Sequence, residues 1–91
     1  MSAVLPLVWN PKLMTASGVV KTGFGRLDSV IATVASDLKV SLYDGTDNTG
    51  TKFIDSLPLS ERQSQALPIE FKNGLYFEIV GGSGKVTVLY I

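Results

Sequence analysis

The chain has 91 residues, enough for one hydrophobic core and too few for two. Hydrophobic residues make up 45% and charged residues 18%, which excludes a disordered chain, and eight basic residues against eight acidic ones argue against nonspecific nucleic-acid binding. Cysteine and histidine are both absent, which removes disulfides, thiolate metal sites and the commonest general base.

The first 17 residues contain the stretch "VLPLVWNPKLM", with two prolines and the only tryptophan. Their hydrophobic pattern is irregular. Pro6 interrupts the apolar run, and no basic residue precedes it as in a signal peptide. No apolar run in the chain approaches the roughly 20 residues of a membrane-spanning helix, so no membrane partner is expected. Residues 1–17 therefore read either as an edge segment or as an extended arm that docks on a neighbour. In the second reading Val4, Leu5, Leu7, Val8 and Trp9 bind the partner, because such side chains are costly to leave in water. Residues 18–91 then form a single β-sandwich domain.

Strand signals follow in order. Gly23-Phe24-Gly25 lacks the following helix that a phosphate-cradling loop needs, so it reads as a tight connection into a strand. In residues 27–35, Leu27, Ser29, Ile31, Thr33 and Ala35 share one face, and Asp28, Val30, Ala32 and Val34 the other. Both faces are partly apolar, as in a strand covered on both sides. Ser36-Asp37 reads as a turn before the strand at residues 39–43. In residues 44–50, Asp44, Asp47 and Asn48 offer oxygen ligands to a hard cation such as calcium, but their spacing departs from the calcium-loop pattern. Asx and glycine turn chemistry accounts for the same residues as a hairpin tip without metal.

Residues 51–55 read as the next strand. Ser60 and Gln63 in "SERQSQ" have capping-box spacing, compatible with one helical turn. In residues 66–71, Leu67, Ile69 and Phe71 share a face, and Pro68 marks an edge strand. Asn73-Gly74 predicts a type I′ hairpin turn. Residues 75–80 and 85–91 are the strongest strands, joined by the glycine-rich "GGSG" read as a hairpin. Short strands at spacings near ten residues predict an all-β fold: a small antiparallel β-sandwich or jelly-roll-like barrel of about 7–8 strands. Ile31, Leu42, Ile69, Phe77 and Val88 are its expected core.

The carboxylates fall in turns or on solvent faces, and so short a chain leaves little room for a cleft. No catalytic, cofactor-binding or metal residues are expected, and the protein is not expected to be an enzyme. Tyr43, Tyr76, Tyr90, Phe53, Phe71, Phe77 and Trp9 could build a carbohydrate platform. Phe71, Phe77 and Tyr90 alternate with aliphatic residues, which places them in the core instead.

Residues from about 19 to 91 resemble the small all-β virion structural proteins of tailed bacteriophages, of the decoration or cement kind. The resemblance is carried by T-G-x-G-x-L at Thr22 to Leu27, L-Y-D-G-T at Leu42 to Thr46 followed by T-G-T at Thr49 to Thr51, and a glycine-rich segment leading into V-T-V-x-Y, Gly81 to Tyr90. It implies a non-catalytic virion component, most simply a capsid decoration protein that stabilises the head lattice. The partners implied are further copies of the chain and the phage major capsid protein or another virion protein. A homo-oligomer, best a trimer, matches the three-fold positions of a capsid lattice. The alternatives are a head–tail, tail or fibre component, and a free carbohydrate-binding module.

Overall fold

A computed structural model describes residues 9–91. They form six strands: β1 (Asn10–Met14), β2 (Gly18–Thr22), β3 (Gly25–Asp44), β4 (Thr51–Leu59), β5 (Gln63–Phe71) and β6 (Gly74–Tyr90). All pairings are antiparallel, and no helix occurs among the described residues. The expected all-β antiparallel fold is thus present, with six strands in place of about seven or eight.

The difference has a specific origin. Two segments read as turns are bends inside long strands. Ser36-Asp37 lies within the 20 residues of β3, and Gly81–Gly84 within the 17 residues of β6. The two bends face each other across the ladder: Ala35 pairs with Gly84, Ser36 with Ser83 and Lys39 with Gly81, with the register shifting between Ser36 and Lys39. A bulge inserts an unpaired residue and bends the strand that carries it. Here Asp37 (φ 50°) and Gly82 (φ 68°) both occupy the left-handed region, so the paired strands bend together. A side chain on Gly82 would overlap the carbonyl oxygens of Ser36 and Asp37.

β3 and β6 form the central ribbon. β5 pairs with the first part of β3 and β1 with the last part of β6; β4 pairs with the last part of β3 and β2 with the first part of β6. β3 begins and ends beside the same turn. Gly25 pairs with Phe71, and the Asp44 carboxylate accepts from the Lys72 amide. The strand therefore doubles back at its bend. β5 pairs with β3 alone among the described residues, so Pro68, exposed there, disturbs no second ladder.

Cross-strand partners share a face of the sheet. On the inner face, Val30 pairs with Val88 and Ala32 with Val86 in one half, and Leu42 pairs with Phe77 in the other. These residues, with Leu27, Leu38, Val40, Phe71 and Leu75, belong to one hydrophobic cluster. Of the expected core, Leu42, Phe77 and Val88 are fully buried. Ile31 and Ile69 are only half-buried. The register shift between Leu27 and Ser29 moves Leu27 onto the face of Val30 and Ala32, so strict alternation fails there. Ile31 turns to the opposite face, paired with Thr87. Ile69 lies opposite the buried Leu27 but outside the residues packed against the cluster, where β5 contributes Leu67 instead.

The β5–β6 connection is Lys72-Asn73, and only Gly74 of the Asn73-Gly74 pair has positive φ. The turn is therefore not type I′. Its amides are held from outside by Asp44, which overrides the local preference. At Ser60–Gln63 one of the two capping-box contacts occurs, without a helix, alongside a backbone turn bond. The Ser60 amide donates to Gln63 Oε1 at 2.8 Å, and the Gln63 amide to the Ser60 carbonyl at 3.0 Å. Arg62, at φ 64°, turns the chain back into β5.

Candidate interaction site

Three turns meet at the end of the molecule away from the bend. The Gly23 amide donates to the Asn73 carbonyl at 3.2 Å, and the Gly45 amide to the Gly74 carbonyl at 3.0 Å. Asp44 joins them: its Oδ1 accepts from the Asn73 amide at 2.7 Å, and its carboxylate from the Lys72 amide at 3.0 Å. Partial desolvation pushes the Asp44 carboxyl up, but the amides of Lys72, Asn73 and Gly74, aided by the Lys72 charge, outweigh it and hold the group below its ordinary value. Gly74 is required at the junction, because a side chain there would lie 2.8 Å from the Gly45 carbonyl oxygen.

The structure gives the three oxygen-bearing residues of the β3–β4 loop separate tasks. Asp44 caps the neighbouring turn. Asp47 accepts from the amide and hydroxyl of Thr49, which lower its carboxyl. Asn48 Nδ2 reaches Glu78 at 3.5 Å. The Asx turn read from the sequence is present at Asp47, and the three residues do not converge on one point. No group of three or more acidic residues suited to a metal ion occurs among the described residues.

Beside these turns lies a groove of about 610 Å3, with Phe24, Phe71 and Ile91 as apolar lining and Lys21, Arg26 and Lys72 among its charged residues. Arg26 pairs with Glu70 at 3.0 Å. Gly25 allows the close packing beneath, since a Cβ there would lie 2.7 Å from the Phe71 ring. Phe24 is 81% exposed at the tip of the two-residue β2–β3 turn, with Lys21 Nζ 6.0 Å from its ring centroid. The sequence reading took Gly23-Phe24-Gly25 as a bare connection and passed over Phe24. The available signal was a large apolar residue between two turn glycines.

The outer face carries two patches. In one, Tyr43 and Tyr76 meet edge to face at 6.0 Å, and the Tyr43 hydroxyl donates to Glu78 Oε1 at 2.7 Å. The bond to Glu78, with desolvation, raises the Tyr43 pKa; contact with Tyr43 and then Asp55 raises that of Lys52, which lies 5.4 Å over the Tyr43 ring. Tyr43 is buried under these neighbours, and Phe71 and Phe77 lie in the core, so they offer no open aromatic platform. The other patch is apolar apart from Thr87 and the buried Ser29. Leu13, Thr87 and Ile31 form one row across β1, β6 and β3, and Pro11, Leu89 and Ser29 the next. Leu13 is 56% and Val34 44% exposed.

Of the arm residues, Val4, Leu5, Leu7 and Val8 lie outside the described residues. Trp9 is half-buried immediately before β1, and Asn10–Met14 is an edge strand on β6. Comparison with family models, with curated proteins and with solved structures finds no match for this chain.

Proposed function

We propose that this protein is a non-catalytic structural component of a tailed-bacteriophage virion, a decoration protein that cements the head lattice as a homotrimer. The observation that carries the reading is the row Leu13–Thr87–Ile31, apolar at both ends, with Leu89 and Val34 beside it, on the face turned away from the core. A patch of this kind is left open when a partner covers it. The zero net charge favours association over repulsion, and the motif resemblance of residues 19–91 points to the same class. Each contact adds about 25 cal/mol per Å2 of apolar area buried, and repetition over the lattice multiplies the effect.

The finer fold that suits this role is a two-layer sandwich closed at the paired bends. One layer holds β1, the end of β6, the start of β3 and β5; the other holds β2, the start of β6, the end of β3 and β4. The return of β3 to its starting turn and the single hydrophobic cluster drawn from both halves support it. The segment Val4 to Trp9 supplies a further contact to the capsid or to a neighbouring copy.

Deletion of residues 2–8 leaves all six strands in place, so the variant folds but assembles more weakly. Light scattering and co-sedimentation with capsids assembled without the protein read this out. A full-length protein that is monomeric and fails to sediment with capsids would refute the decoration reading and favour the tail, fibre or glycan-binding alternatives.

A further inference from the structure

We infer that copies of this chain join head to tail, with the exposed Phe24 turn of one copy seated in the groove at the strand bend of the next. The inference rests on the proposal that the protein works as a homo-oligomer, and it names the surfaces involved. Phe24 is the most exposed large apolar side chain among the described residues, and nothing at a two-residue turn requires an aromatic ring. A buried aromatic anchor is the usual centre of an interface.

The receiving groove lies at the opposite end of the ribbon. It holds about 640 Å3 and is bordered by the exposed Pro58 and by Gly82, above the buried Leu38 and Leu59, with Asp37 and Glu61 among its charged residues. The two ends complement each other in charge. At the Phe24 end, Lys21, Arg26 and Lys72 outnumber Asp44 and Glu70 and leave one net positive side-chain charge. At the bend, Asp37 and Glu61 form no salt bridge among the described residues, against one lysine, Lys39. A symmetric contact between two Phe24 ends would instead bring two net positive ends together, and like charges repel. Two different surfaces on one copy make a heterologous contact, which closes into a ring when its rotation permits. A ring of three would leave the apolar face of each copy free for the lattice.

The absence of cysteine makes the test direct. Thr22→Cys, exposed beside the Phe24 turn, and Pro58→Cys are made in separate chains that both keep Phe24, mixed and treated with a short bis-maleimide. The expected product is a mixed dimer joined through positions 22 and 58, with little product from either variant alone. Phe24→Ala, at an exposed turn position, should keep the wild-type circular dichroism and raise the concentration for half-assembly by about 30-fold or more. Cross-linking of Thr22→Cys chains to each other, or assembly of Phe24→Ala at wild-type concentrations, would overturn the head-to-tail contact. If the full-length protein still oligomerises and sediments with capsids but yields no 22–58 product, this inference fails and the decoration reading stands. A full-length chain that stays monomeric at every concentration overturns both.

Discussion

Gly82→Ala tests whether the paired bends organise the fold. Gly82 sits at φ 68°, where an L-residue is disfavoured by about 1–2 kcal/mol. Its missing side chain faces the carbonyl groups of Ser36 and Asp37 on the paired strand, which are backbone and cannot swing aside. Relief requires distortion of both bends, and backbone angles resist this at a cost of several kcal/mol. Loss of unfolded-chain entropy returns only about 0.4–1 kcal/mol. The net expectation is a loss of about 3–5 kcal/mol, from a total stability of about 5–14 kcal/mol for a chain this long. Gly23→Ala is the control, because Gly23 has φ 80° but no atom within 4 Å of a built Cβ. It should lose about 1 kcal/mol. Thermal unfolding followed by far-ultraviolet circular dichroism separates the two: a midpoint drop of at least about 12 °C for Gly82→Ala against about 4–8 °C for Gly23→Ala. Equal drops would mean that the bends do not depend on close backbone packing at Gly82, and the reasoning would be wrong.

Phe77→Ala, at a fully buried position, should cost about 3–5 kcal/mol, whereas Ile31→Ala on the outer face should cost about 1 kcal/mol; similar losses in guanidinium titrations would contradict the assignment of faces. Asp44 is held below its ordinary carboxyl value, so its contribution is present above about pH 4 and disappears as the pH falls through the folded-state value. Asp44→Asn should therefore be less stable than wild type by about 1–2 kcal/mol at neutral pH, the difference shrinking in acid. A difference that stays constant from neutral pH to pH 2 would show that the charge on Asp44 is not what holds the turn.

Much of this protein was legible residue by residue. Alternation identified the strand character of residues 27–35, 39–43, 75–80 and 85–91, and the Gly23 and Asp47 turns follow from local hydrogen bonding and backbone freedom. Those signals depend on residues within four positions of each other, and the sequence displays them directly. The sequence did not show that Ser36-Asp37 and Gly81–Gly84 are bends rather than turns. A left-handed residue and a glycine cluster serve either purpose, and the choice was made by their meeting across the β3–β6 ladder. Nor did it show that the phase slips between Leu27 and Ser29 turn Ile31 outward, because a bulge is set by register with the partner strand. Asp44 reads as part of its own loop, yet its charge is satisfied by amides 28 and 29 residues away. Phe24 is visible in the sequence as a large apolar residue at a turn, but its exposure is known only once the core is complete without it. Local chemistry thus determined which residues form strands and turns, while bends, faces and caps were decided by contacts between distant segments, whose geometry exists only after the chain has doubled back on itself.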